Sequence, residues 1–305
     1  MPPAAGTAPS SVLRALDLSV RRRVEGLLAG DHPSNLLGIG TELAQVRPYQ
    51  PGDDVRRMDW NVTARTNEPH VRVHVAERSL TTWLVLDTSP SMAFGTADRT
   101  KAELAEGVAM AVGHLACRGA NRLAVVGYGG PAPLSLPPTQ GRHGLLGLLA
   151  ALRDRRPEPE GPSGETLGEA LLRTGRLAPQ RGLVVLVADF RGRETVADWR
   201  GPLLRLCSRH DVLAVEVRDP REQELPDVGD LWLVDPETGR QLRVNTGSRV
   251  VRERFAAAAA AERSEVATAL AACGADHVVL STSGDWLRPL AAFLLRRTHR
   301  RGAHR

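Results

Sequence analysis

Residues 82–91 read Thr-Trp-Leu-Val-Leu-Asp-Thr-Ser-Pro-Ser, a run of apolar residues that ends at the acidic residue Asp87. A short apolar run bounded by polar residues is typical of a strand buried on both faces of a sheet. Four further runs of this kind, separated by helical patterns, lie at 123–126, 182–188, 212–217 and 278–280. Strands that alternate with helices predict an α/β fold, in which a mostly parallel sheet carries helices on both faces.

The loop after the first run is rich in oxygen-bearing side chains. Asp87, Ser89 and Ser91 stand at alternate positions, a later strand-like run ends at Asp189, and Thr166 stands where a helix is predicted to begin. In parallel sheets, ligands bind beyond the carboxyl ends of the strands. Hydroxyl and carboxylate oxygens are hard ligands that suit Mg²⁺ or Mn²⁺ rather than zinc or copper. The alternative is that these side chains only cap turns between strands and helices.

The order of these residues resembles a known metal site. An Asp-x-Ser-x-Ser loop, then a Gly-x-Thr loop, then a strand-terminal aspartate is similar to the metal-ion-dependent adhesion site of von Willebrand factor A domains. The resemblance spans about residues 81–298 and implies a von Willebrand factor A-like (Rossmann-like) fold that binds Mg²⁺, or else Mn²⁺ or Ca²⁺. It implies direct ligation by Ser89, Ser91 and Thr166, and contact largely through water for Asp87 and Asp189. Because the direct ligands are neutral, the resemblance also implies a cation that attracts a carboxylate from a partner protein.

The segment before this region narrows the family. The stretch from Arg47 to Trp60, followed by Thr63-Ala64-Arg65, resembles the signature of the bacterial domain of unknown function 58 family. Members of that family pair this segment with a von Willebrand factor A-like domain and are commonly encoded beside MoxR-type AAA+ ATPases. The resemblance implies that the partner is such an ATPase or its client. We also expect a buried salt-bridged cluster, acting as a structural staple or a partner surface, formed by Arg56, Asp59 and Arg65 around Trp60 and Tyr49.

The predicted organisation of the chain has four parts. A disordered tail at 1–10 precedes a helix and the family-signature preamble at 11–80, with the helix itself at 11–29. The von Willebrand factor A-like domain follows at 81–298, and a basic tail ends the chain at 299–305. Within the domain, residues 231–245 predict a β-hairpin insertion with a glycine-containing turn. This hairpin is either a recognition prong or an ordinary extension of the sheet.

The composition limits the class of protein. The 305 residues carry a net charge of +5, and Lys101 is the only lysine. Arginines are interspersed with 35 acidic residues, so the positive charge reflects composition rather than a nucleic-acid surface. Three scattered cysteines, Cys117, Cys207 and Cys273, argue against a disulfide framework or a zinc site. The sequence has no signal peptide pattern and no apolar stretch of about 18 residues, so we expect a cytoplasmic protein.

Three functions are consistent with these observations. The first is a non-enzymatic, metal-dependent protein-interaction module that acts with a MoxR-type ATPase in protein remodelling or maturation. The second is a Mg²⁺-dependent hydrolase or phosphotransferase, since a carboxylate at a strand end beside Mg²⁺ also serves aspartyl-phosphate chemistry. Such enzymes need a second acid two residues after the nucleophile, and Ser89 stands there instead. Nucleic-acid binding through arginine is the third and the least supported.

Overall fold

The computed structural model describes residues 45–73, 80–117, 121–141, 145–147, 150–151, 164–192 and 194–302. The predicted tail at 1–10 and the predicted helix at 11–29 lie outside these residues. The preamble forms a small unit in which strands β1 (Gln45–Pro48) and β2 (His70–Val73) pair antiparallel around helix α1 (Trp60–Thr66).

The centre of the molecule is a six-stranded sheet. Its strands are β3 (Thr81–Asp87), β4 (Arg122–Tyr128), β5 (Leu134–Gln140), β6 (Leu183–Ala188), β7 (Asp211–Arg218) and β10 (Asp276–Ser281). Their spatial order is β10-β7-β6-β3-β4-β5, and every neighbouring pair is parallel except β4 with the edge strand β5. This sheet confirms the predicted mostly parallel α/β fold. It also brings the carboxyl ends of β3 and β6 together as neighbours.

Helices cover both faces of the sheet, as predicted. Alternate residues of β3 point to opposite faces, so Leu84 and Leu86 belong to one core and Trp83 and Val85 to the other. The first core contains α2 (Lys101–Ala116) and α6 (Leu287–Gly302). The second contains α3 (Leu167–Leu177), α4 (Val196–Cys207) and α5 (Arg249–Ala272).

Helix α6 corrects one predicted boundary. It continues to Gly302, so residues 299–302 of the predicted basic tail are helical. None of the described helices is long and apolar enough to cross a lipid bilayer.

The predicted hairpin is present but does not extend the central sheet. Among the strands that the structure describes, β8 (Asp230–Val234) and β9 (Gln241–Asn245) pair only with each other and form a two-stranded sheet of their own. Trp232 and Leu242 are 62% and 64% exposed. The interpretation of this segment as an ordinary extension of the sheet is therefore wrong.

The predicted buried cluster in the preamble is also wrong. Trp60 is 70% exposed, and both Arg56 and Arg65 are exposed. The physical reason lies in the helix start, where the Asp59 carboxylate accepts hydrogen bonds from the backbone N–H groups of Asn61 and Val62. Asp59 is buried and caps the helix, whereas Trp60 begins α1 on its exposed side.

Candidate metal centre at the carboxyl edge of the sheet

The loop after β3 forms a compact set of oxygen atoms. The backbone N–H of Ser89 donates to Asp87 Oδ1 at 2.8 Å, which folds the loop over the strand end. A 3-10 turn at Pro90–Ala93 then brings Ser91 back, and the Ser89 and Ser91 hydroxyl oxygens lie 3.0 Å apart. All three side chains are buried. The alternate spacing seen in the sequence therefore does converge on one point.

Asp189 joins this set from the neighbouring strand. It directly follows β6, and its Oδ2 accepts a 2.7 Å hydrogen bond from the Ser91 hydroxyl. The backbone N–H of Arg191 donates to the other oxygen, Oδ1, at 2.9 Å. Between them, Phe190 adopts a φ of 57°, a left-handed conformation that is uncommon for a bulky residue. This unusual turn aims the Asp189 carboxylate toward the β3 loop.

Thr166 reaches the same place from a third loop. It is the N-cap of α3, where its hydroxyl accepts from the backbone N–H of Glu169 at 3.3 Å and the Glu169 carboxylate accepts from the Thr166 N–H at 3.0 Å. Thr166 lines a cavity of about 110 Å³ together with Asp87 and Ser89. The structure thus links Asp87, Ser89, Ser91 and Asp189 by hydrogen bonds. It places Thr166 on a cavity that Asp87 and Ser89 also line, whereas Ser91 and Asp189 lie behind that lining.

Backbone hydrogen bonds hold the Thr166 loop against the turn after β4, which in turn packs against the β3 loop. The backbone N–H of Gly164 donates to the carbonyl of Gly129, and the N–H of Gly129 donates to the carbonyl of Glu165, both at 3.0 Å. Gly129 has a φ of 82°, and a Cβ atom there would lie 2.8 Å from the Ser89 Cβ. Only glycine meets both conditions, so the Gly-Tyr-Gly-Gly turn after β4 is part of the site.

Burial and charge set the protonation of the two aspartates. Burial, followed by repulsion from Asp189, raises the pKa of Asp87 to about 7. Burial also acts to raise the pKa of Asp189, but attraction and hydrogen bonding by Lys101 outweigh it and leave that pKa below its ordinary value. Desolvation raises the pKa of the neighbouring Tyr128 well above its usual range, so its neutral hydroxyl lies 3.3 Å from Asp87 Oδ2. A bound cation would favour the ionised form of Asp87.

Several residues around the cavity were missed by sequence reasoning. They contribute charge or hydrogen bonds at the site: Lys101, Tyr128, Glu194, Glu222 and Glu237. Glu194 accepts from the first backbone N–H groups of α3, those of Leu167 and Gly168. Glu237 comes from the tip of the β8–β9 hairpin, well beyond Asp189, the last predicted ligand in the sequence, and no sequence signal placed it there. Lys101 did carry a signal, as the one lysine in an arginine-rich chain.

The donor set fits a hard divalent ion better than a soft one. Throughout the described residues, no group of three or more His, Cys, Asp or Glu side chains is arranged to hold a metal on its own. Any metal here would depend on the hydroxyl oxygens of Ser89, Ser91 and Thr166, with Asp87 and Asp189 supplying charge. Hydroxyl, carboxylate and water oxygens are the ligands of Mg²⁺, Mn²⁺ and Ca²⁺. The cavity leaves room for water or an outside oxygen beside such an ion.

Comparison with solved structures gives distant similarities. An aerotolerance-related membrane protein from Bacteroides fragilis is 14% identical with a TM-score of 0.46, and covers 73% of this chain and 100% of its own. A von Willebrand factor type A protein from Catenulispora acidiphila is 16% identical with a TM-score of 0.40, and covers 75% of this chain and 43% of its own.

Sequence comparison gives closer matches than the solved structures do. An uncharacterized protein of Mycobacterium bovis is 43% identical over 296 residues, which is 96% of this chain and 90% of the relative. The family model described as "Protein of unknown function DUF58" matches residues 45–265, from β1 into α5. That match takes in both the preamble signature and all five candidate ligands. On these grounds the chain belongs to the DUF58 family.

Proposed function

We propose that this protein is a metal-dependent protein-interaction module, in which a divalent ion at the carboxyl edge of the sheet binds a carboxylate of a partner protein. The observation that carries the proposal is the convergence of three loops on one cavity. Ser89 and Ser91 are hydrogen-bonded to each other, Ser91 to Asp189, and Thr166 faces the cavity that Asp87 and Ser89 line. If these side chains only capped turns, the loop after β3 and the loop after β6 would not need to share the hydrogen bond between Ser91 and Asp189.

The charge balance explains why such an ion would bind a partner rather than act alone. Its direct ligands would be the neutral hydroxyls of Ser89, Ser91 and Thr166, with Asp87 and Asp189 acting largely through water. An ion with neutral direct ligands keeps most of its positive charge, and Mg²⁺ readily retains open or water-filled positions. An aspartate or glutamate from a partner then completes the shell and neutralises that charge in a poorly solvated place.

Two features support a protein partner of substantial size. The tip of the β8–β9 hairpin lines the cavity through Glu237, while Trp232 and Leu242 on its strands are exposed. A partner whose carboxylate enters the cavity therefore also meets the hairpin. On the strength of the family signature, we propose that the partner is a MoxR-type AAA+ ATPase or a client that this ATPase remodels or matures.

Binding to a purified MoxR-type ATPase from the same genome tests the proposal. We expect binding in Mn²⁺ and its loss in EDTA, with nucleotide left out so that the ATPase itself holds no metal–nucleotide complex. Asp87→Ala should abolish binding, because it removes a carboxylate that the proposed metal site needs. Unlike EDTA, this substitution leaves the ATPase unchanged. Glu265→Ala, an exposed acidic residue on α5, is the matched control and should bind normally.

Two results would speak against this function. Binding that is unchanged both in EDTA and in Asp87→Ala would remove the metal from the interaction. Mg²⁺-dependent turnover of a phosphate ester that disappears in Asp87→Ala would favour the hydrolase or phosphotransferase instead.

A further inference from the structure

The side chain of Lys101 reaches the candidate metal centre from the first position of α2. It is fully buried, and its ammonium lies 2.6 Å from Asp189 Oδ2 and 2.7 Å from Glu222 Oε1. Its ammonium also lies 5.8 Å from the centre of the Phe94 ring. The one lysine of the chain is therefore enclosed at the site, away from solvent.

Burying an ammonium group costs free energy that burying an apolar side chain of similar size would not. Removing a charge from water costs several kcal/mol, and only close anionic partners offset that cost. A methionine would occupy a similar volume without that desolvation cost. The charge of Lys101, rather than its bulk, is what this position uses.

The hydrogen bonds of Asp189 show where that charge acts. Oδ2 of Asp189 accepts from both the Lys101 ammonium and the Ser91 hydroxyl, and Oδ1 accepts from the Arg191 backbone N–H. A carboxylate oxygen has about two acceptor sites, so Oδ2 is fully used. The negative charge of Asp189 is thus matched by Lys101 within hydrogen-bond distance.

We propose that Lys101 is a resident cation of the metal centre, a positioning residue that keeps Asp189 from ligating the metal directly, offsets the negative charge that Asp189 supplies through water, and so keeps the bound ion under-neutralised. This inference rests on the proposed metal-dependent function. With Asp189 matched by Lys101, the ion is left with Asp87 as its near carboxylate. Lys101 therefore weakens binding of the metal alone and strengthens binding of an external carboxylate to the metal.

Two substitutions shift this balance in opposite directions. Lys101→Met releases Asp189 and removes a repelling charge, so Mn²⁺ should bind on the order of tenfold more tightly. The same variant should bind acetate to the Mn²⁺ complex more weakly. Glu222→Gln removes the second acid that shares the ammonium, so Lys101 bonds Asp189 alone and Mn²⁺ should bind several-fold more weakly. A purely structural role for Lys101 predicts no such opposition between metal and acetate.

The experiment is calorimetric titration of the full chain with Mn²⁺, followed by acetate titration read from water-proton relaxation of the Mn²⁺ complex. Glu262→Gln is the matched control for Glu222→Gln, because both glutamates pair with Arg191, at 2.9 Å and 3.5 Å respectively, whereas the ammonium of Lys101 pairs with Glu222. We expect wild-type affinity in that control. Circular dichroism establishes that each variant is folded.

Each result decides one question. Absence of Mn²⁺ binding by the wild-type chain overturns the proposed function itself. Wild-type binding together with unchanged or weaker Mn²⁺ binding by folded Lys101→Met overturns only the resident-cation inference. If Lys101→Met does not fold, Glu222→Gln decides, and Mn²⁺ affinity no lower than in Glu262→Gln overturns the inference.

Discussion

Replacing Thr166 by alanine separates two roles of one hydroxyl, the helix cap and the proposed metal ligand. In the absence of metal, Thr166→Ala removes the acceptor for the Glu169 N–H at the start of α3. Loss of such a cap costs about 1 kcal/mol, which for a domain of this size lowers the melting temperature by roughly 2–4 °C. Mg²⁺ at about 100 times its dissociation constant should stabilise the wild type by a further ~2.7 kcal/mol. The variant should lose most of that gain.

Thermal melts with and without saturating Mg²⁺ measure both effects. Glu169→Ala is the matched control, because it removes the other half of the same capping box but carries no proposed ligand. It should show the loss seen without metal and keep the full response to Mg²⁺, and Thr166→Ser should resemble the wild type. The reasoning is refuted if Mg²⁺ stabilises Thr166→Ala as much as it stabilises the wild-type chain.

Three further results are expected. Gly129→Ala should destabilise the fold by more than the ~1 kcal/mol that a left-handed alanine costs, because the new Cβ would lie 2.8 Å from the Cβ of Ser89. Gly141→Ala is the control in the same denaturant titration, because Gly141 has a φ of 69° but open space around it. Burial raises the pKa of Cys117 to about 11, so this partly buried thiol should be alkylated more slowly in the native chain than in the unfolded chain at pH 8, as peptide mapping would show. Labelling at the same rate in both states would contradict this. Trp232→Ser should change stability by less than about 0.5 kcal/mol in urea, since the side chain is 62% exposed, yet weaken partner binding; unchanged binding would exclude the hairpin from the interface.

The central sheet was accessible to sequence reasoning because its strands are continuous apolar runs. Thr81–Asp87 and Leu183–Ala188 are buried on both faces, and a buried parallel strand leaves this pattern directly in the sequence. The order of the strands in the sheet could not be predicted from the individual apolar runs, because it depends on how the helices cross from one strand to the next.

Short polar segments were harder to predict than the sheet. The carboxylate of Asp59 has a local use in capping α1, and that use prevailed over the predicted buried cluster around Trp60. Nothing in the sequence of the hairpin indicated whether it would join the central sheet, because β8 has apolar residues on both faces whereas β9 alternates apolar and polar residues.

At the candidate site, the convergence of the loops could be predicted from the topology of the sheet. The ion pairs of Lys101 could not. Asp87 and Asp189 end neighbouring parallel strands, so their proximity could be anticipated from the pattern. Lys101 lies on a helix and Glu222 on a 3-10 turn more than 100 residues away, and their pairing depends on three-dimensional packing. The role of the five predicted ligands remains a prediction.

A crystal structure of the chain grown with Mn²⁺ tests the metal centre most directly. We predict an anomalous peak about 2 Å from the hydroxyl oxygens of Ser89, Ser91 and Thr166, with the Lys101 ammonium still on Asp189. A crystal grown at saturating Mn²⁺ that shows no anomalous peak in this cavity, and in which these hydroxyls bond only to protein groups, would contradict the account.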